Sequence, residues 1–203
     1  MTRAIAAAVL AAGCAAAGPR PPVKAILADV PAVAPGVRLD IRYATADNFT
    51  KAVVYPAARC LLRPEAAAAL AKVQADLSGA GLGLKVWDCY RPLSVQKRFW
   101  ELVPDPRYVA DPKKGSRHNR GAAVDLTLVD AAGQELEMPT GYDDFSESAH
   151  RASTAGSPAA RANAKRLDEA MARQGFKGLA TEWWHFDFAG WEAFPLLDVP
   201  LAP

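Results

Sequence analysis

The sequence predicts a single α+β domain built on a largely antiparallel central sheet with flanking helices. Three observations predict it. A length of 203 residues suits one domain with a real core. Two long helical patterns stand among short alternating stretches, with no regular βαβ repeat. The chain has no internal repeat and no compositional break that would mark a second domain.

Residues 1–18, MTRAIAAAVLAAGCAAAG, pair one Arg with a short apolar run and then small residues. That pattern is a secretory signal, too short to span a bilayer stably. Within it Leu10-Ala11-Ala12-Gly13-Cys14 resembles a lipobox, which would make Cys14 a lipidated N-terminus. An ordinary cleaved signal is the alternative. Lipidation and export together predict a protein of the periplasm or cell envelope that meets the membrane only through its lipid anchor. Residues 15–24 are rich in Ala, Pro and Gly, and the expected organisation is a signal over 1–18, a tether over 19–34 and a domain over 35–203.

Val37–Tyr43, VRLDIRY, alternates and predicts a strand. Residues 44–59 predict a long loop. Pro64–Ser78 is rich in Ala and Leu with Pro at its start, which predicts a helix stopped by Gly79, Gly81 and Gly83. Leu84–Asp88 predicts a strand ending in a turn at Tyr90-Arg91-Pro92, with Ser94 capping a helix through Leu102. Residues 104–122 predict a loop, Ala123–Val129 a strand and 137–157 an irregular segment. Ala159–Gln174 predicts a second long helix closed by Gly175, and Thr181–Phe188 a last strand.

Composition narrows the function. Half of the residues (51%) are apolar and 23% charged, with a net charge of +2, which is normal for a globular protein. That charge, with no basic stripe, argues against nucleic acid as a partner. Beyond the N-terminus no apolar run reaches the ~18–20 residues of a membrane span. Oligomeric state is not legible. If Cys14 carries lipid, Cys60 and Cys89 remain of three cysteines. An oxidising compartment permits a disulfide between them, and two buried free thiols are the alternative.

The chemistry concentrates in two segments, Ser116-Arg117-His118-Asn119-Arg120-Gly121-Ala122-Ala123-Val124-Asp125 and Glu182-Trp183-Trp184-His185-Phe186. Catalytic zinc takes three His, Asp, Glu or Cys ligands and keeps one position open for water. His118, Asp125 and His185 supply two nitrogens and one oxygen, and Glu182 remains as a base beside the activated water. Gly121 and the pattern that follows place His118 on a loop and Asp125 on a strand. Glu182 and His185, three apart, would face opposite ways on one flat strand, so Glu182 sits before the strand proper or at a bulge. The bland reading is an Asp in an apolar strand that pairs with an Arg, because a buried lone carboxylate costs several kcal/mol.

SRHNRGAAVDLTL and EWWHF together resemble the paired motifs of the zinc D-alanyl-D-alanine dipeptidases, the family of the vancomycin-resistance dipeptidase. Tyr43-Ala44-Thr45, Asp47-Asn48-Phe49, Asp88-Cys89-Tyr90-Arg91-Pro92 and the stretch from Met138 to His150 extend the resemblance over roughly 35–200. It implies the fold shared by zinc D,D-peptidases and hedgehog-like domains. It implies one zinc per chain on His118, Asp125 and His185, Glu182 as general base and Arg91 as the cation facing the oxyanion. It also implies D-Ala-D-Ala as substrate, its amino end held by Tyr43 and Asp143 and its carboxylate near Ser116. Asp144 is the neighbour that a one-residue shift would exchange for Asp143. His150, without a partner at ligand spacing, reads as structural. Of Trp183 and Trp184, one is expected in the core and one against the site. Two rival activities are a D,D- or L,D-carboxypeptidase acting on longer wall peptides and a non-catalytic envelope lipoprotein that binds them. Dipeptide scavenging and wall recycling are the expected roles.

Overall fold

The computed structural model describes residues 26–202. The signal, Cys14 and the first part of the expected tether lie outside the described residues. The rest of that tether is not a tether. Strand β1 (Ala28–Asp29) pairs antiparallel with β3 (Leu61–Leu62), and the short helix α1 (Val30–Val33) follows it directly. Leu27, Val30 and Ala34 are buried in the core. The stretch looks like a linker by composition, yet its apolar side chains fall where they cover the domain.

The main sheet has the order β2-β4-β5-β7-β6. Its strands are β2 (Arg38–Leu39), β4 (Leu82–Asp88), β5 (Ala123–Asp130), β6 (Phe176–Gly178) and β7 (His185–Phe188). Only the β2–β4 pair is parallel. The expected largely antiparallel sheet is therefore present. Helix α2 (Pro64–Ser78) lays Ala66, Leu70, Val73 and Leu77 against β4, and helix α4 (Pro158–Arg173) packs on α2 and β6 through buried Leu167 and Met171. Ser157 caps α4 by accepting the Ala160 N–H at 3.0 Å.

Three expectations shift. The strand over Val37–Tyr43 shortens to β2, because the chain turns into a 3-10 segment at Arg42–Ala44 that buries Tyr43. The Tyr43 carbonyl then accepts the Val54 and Tyr55 amides at 2.9 and 2.8 Å. Ser94 does not cap helix α3 (Leu93–Leu102): Pro92 takes the cap position, and the Asp198 carboxylate accepts the Ser94 amide at 2.8 Å. The last strand begins only at His185, since 181–184 form a turn, and Phe176–Gly178 is the strand that pairs with it.

The register positions the site. Asp88 pairs with Asp125, and Asp125 pairs with His185, so three chemically active residues stand in one row across β4, β5 and β7. The β4 register shifts between Val86 and Asp88, and a bulge there re-aims the strand end.

Candidate active site

His118 lies in a 3-10 turn over His118–Arg120, ended by Gly121 at φ +68°. A Cβ at Gly121 would collide with Leu27 as well as strain the backbone, so glycine is required. The turn delivers His118 to the mouth of β5, beside Asp125. The expected placement of one residue on a loop and the other on a strand is realised.

His118 Nε2 is 3.2 Å from His185 Nδ1 and 3.3 Å from Asp125 Oδ1, and the last two atoms are 2.9 Å apart. All three side chains are buried. The outer nitrogen of each imidazole faces a partner that can only accept. His118 Nδ1–H donates to the Cys89 carbonyl at 2.6 Å, and His185 Nε2–H donates to Asp187 Oδ1 at 2.8 Å. His118 Nε2, His185 Nδ1 and Asp125 Oδ1 therefore converge on one point, a donor set that fits a cation. Zinc bonds of about 2.0–2.2 Å put tetrahedral ligands about 3.3–3.5 Å apart, so this triangle opens by at most about half an ångström to hold the ion. The second nitrogen of each His is tied down, which is how metal-binding imidazoles are oriented.

Without a metal these groups share protons. Burial alone would raise Asp125, but the two imidazoles hold it well below the usual carboxylate range. Burial alone would lower His185, but Asp125 and Asp187 outweigh it and lift the imidazole to about 10.

Glu182 sits in the turn before β7, as the spacing required. Its Oε2 is 3.8 Å from His185 Nδ1, beside the donor triangle but not part of it. Burial raises its carboxyl above the ordinary value, and Asp125 adds to this. The turn is strapped by Arg151. Its Nε donates to Leu179 O at 2.9 Å, and its Nη2 to Trp183 O at 2.9 Å and His185 O at 2.8 Å. A Cβ on Gly178 would overlap that guanidinium.

Arg91 donates to Asp88 Oδ2 through Nη2 at 2.6 Å and Nε at 3.1 Å, and to Gln96 Oε1 through Nη1 at 2.8 Å. It lies 4.8 Å from the Phe99 ring centroid. Asp88 in turn accepts from Tyr55 Oη at 2.7 Å. Arg91 is thus held through all three guanidinium nitrogens, and it lines the cavity. Burial opposes its charge, but Asp88 and the nearby tyrosines keep it firmly protonated.

One cavity of about 420 Å³ gathers these groups with Tyr43, Ser116 and Asp143. Both carboxylate oxygens of Asp143 are 3.2 Å from Tyr43 Oη. Burial, with the Asp125 charge, pushes Asp143 up to about 8. Its φ is +58°, a costly conformation for a non-glycine residue that turns its carboxyl inward. Asp144 does not line the cavity and instead accepts the Ser146 amide at 2.9 Å, so of the two only Asp143 faces the cavity. Ser116 Oγ accepts the His118 amide at 3.2 Å. His150, expected to be structural, lines the cavity. Trp184 lines it too, while Trp183 is core with its indole N–H on Thr140 Oγ1 at 2.9 Å.

Cys60 and Cys89 are joined in a disulfide, with Cα atoms 5.2 Å apart. The bond anchors the segment whose Cys89 carbonyl orients His118.

Sequence reasoning assigned no role to Asp88 and Tyr142, although both lie in segments of the family resemblance, and it passed over Asp187 and Gln96. Asp187 was findable, since it stands two residues after His185 on the same strand face. Tyr142 was marked only by lying in the Met138–His150 stretch of the resemblance.

The fold and site define a zinc metallopeptidase. A family described as D-ala-D-ala dipeptidase matches residues 24–195, and the chain belongs to that family. A D-alanyl-D-alanine dipeptidase of Escherichia coli (strain K12) is 41% identical over 171 residues, covering 84% of this chain and 89% of its own. Another of that name from Enterococcus faecium is 33% identical over 175 residues, covering 74% and 85%. A solved LD-carboxypeptidase aligns over 66% of this chain and 61% of its own, at TM-score 0.43 and 22% identity.

Proposed function

We propose that this protein hydrolyses free D-Ala-D-Ala to two D-alanines, with His118, Asp125 and His185 holding one zinc ion. The observation that carries the reading is the buried triangle of donor atoms, with sides of 3.2, 3.3 and 2.9 Å, beside an uncommitted Glu182. His118, Asp125 and His185 would hold zinc, which would supply Lewis acidity and lower the pKa of water there to near ~7.

Glu182 takes the proton of the attacking water and delivers it to the amine that leaves, so water adds across the peptide bond. A carboxyl raised by burial suits both transfers. Arg91, fixed by Asp88 and Gln96, lines the cavity as the cation for the oxyanion that develops on the carbonyl. Asp143, with Tyr43 behind it, meets the substrate ammonium, and Ser116 lies toward the carboxylate end. A carboxylate at one end of the cavity favours a substrate whose amino end is free, as in a dipeptide, over a longer wall peptide.

Residues 1–18 support export, with lipid attached at Cys14. The Cys60–Cys89 disulfide supports the same oxidising compartment. In the cell envelope the activity serves dipeptide scavenging or wall recycling.

The test is D-alanine release by zinc-loaded protein from D-Ala-D-Ala and from an amino-blocked pentapeptide ending in D-Ala-D-Ala. Turnover of the free dipeptide alone is expected. Preference for the pentapeptide would make the protein a carboxypeptidase, and turnover of neither would leave a binding protein.

A further inference from the structure

Asp125 divides its two oxygens. Oδ1 faces His118 Nε2 and His185 Nδ1, while Oδ2 accepts the Tyr142 hydroxyl at 3.0 Å. We propose that Tyr142 is a positioning residue that keeps Asp125 a one-oxygen ligand and so preserves the open coordination position for water. The inference rests on Asp125 being a zinc ligand, as read above.

Two features make Tyr142 a fixed clamp rather than a passing contact. Its ring is stacked on Trp87, centroids 4.8 Å apart at 27°, and meets the edge of Trp184 at 5.6 Å. Both indoles are buried, so the ring packs against two fixed core side chains. The hydroxyl has a second neighbour, Tyr43 Oη at 3.3 Å, which lies 3.2 Å from both oxygens of Asp143. When Asp143 is ionised, the single Tyr43 proton belongs to that carboxylate. Tyr142 then has one proton and two acceptors, a neutral phenol oxygen and a closer carboxylate. The charge-assisted bond wins, so the proton lies on the Asp125 side.

A carboxylate whose second oxygen is free can swing to chelate the ion through both oxygens, raising the coordination number and crowding out water. The Tyr142 bond opposes that swing.

The test is Tyr142→Phe, which keeps the ring and the Trp87 stack and removes only the hydroxyl. Visible absorption of the cobalt(II)-substituted protein reads coordination number independently of turnover. The variant is expected to show weaker d–d bands, as a fifth ligand joins, and about a tenfold fall in kcat with KM within about twofold, in the range for loss of an outer-shell partner. An unchanged cobalt spectrum overturns the inference. Asp125→Ala separates this failure from a deeper one. If that variant still binds cobalt as the parent does, the ligand assignment itself is wrong. If it loses cobalt while Tyr142→Phe is spectrally unchanged, only the clamp is wrong.

Discussion

Asp125 and His185 are register partners across β5 and β7, and their side chains meet at 2.9 Å, Oδ1 to Nδ1. Backbone pairing therefore places two of the three donors before any side chain chooses a rotamer. It also means that a proton and a metal compete for one nitrogen, because the other is committed to Asp187 at 2.8 Å.

That competition predicts a pH-dependent zinc affinity. Metal-free His185 is lifted to about 10 by the two carboxylates that outweigh its burial, so zinc must displace a proton at neutral pH. Competition with a chelator from pH 6 to 8 should show affinity rising about tenfold per pH unit. The sign for stability of the metal-free protein is opposite. A raised imidazole contributes fully below its unfolded value of ~6.5, and that contribution is lost as pH rises through about 10.

Glu182→Gln should keep zinc and lose turnover. Its carboxylate stands beside the donor triangle, 3.8 Å from His185 Nδ1, without belonging to it. Loss of a general base costs about 10²–10⁴ in kcat, and metal analysis of the same sample should remain at one zinc per chain.

Asp143→Asn should act on binding. A hydrogen bond to a charged group is worth about 1.5–3 kcal/mol, so KM for D-Ala-D-Ala should rise about tenfold to a hundredfold, with kcat less affected. Since burial and Asp125 raise this carboxyl to about 8, only its ionised form attracts the ammonium. The substrate's ammonium itself titrates near ~8, so the parent's kcat/KM should rise toward that value and fall above it, and the Asn variant should lose the rising limb.

Opening the Cys60–Cys89 bond should destabilise the protein. The closed loop spans a separation of 29 residues, for which chain entropy predicts about 3–4 kcal/mol. Denaturant melts of Cys60→Ser/Cys89→Ser against the parent would measure it. Zinc affinity should fall as well, because the Cys89 carbonyl holds the His118 tautomer.

Much of this was legible in the chain. The helix over Pro64–Ser78 follows from Pro at its start and glycines at its end, and the one expected over Ala159–Gln174, closed by Gly175, lies at Pro158–Arg173. The donors His118, Asp125 and His185 and the place of Glu182 before its strand were readable because spacing and residue chemistry are local properties. The core role of residues 26–34 was hidden, since Ala, Val and Pro look the same in a tether as against a core.

What the amino-acid order determined by itself was which side chains exist to bind a metal, move a proton and carry a positive charge, and on what kind of local element each sits. What tertiary structure alone decided was their convergence. Strand register set Asp88, Asp125 and His185 in one row, and a turn ending at Gly121 brought His118 to it. Tyr142, Asp187 and Asp88 gained their roles only then. A hydrogen bond depends on distances of a few tenths of an ångström between groups far apart in the chain, and those distances are a property of packing.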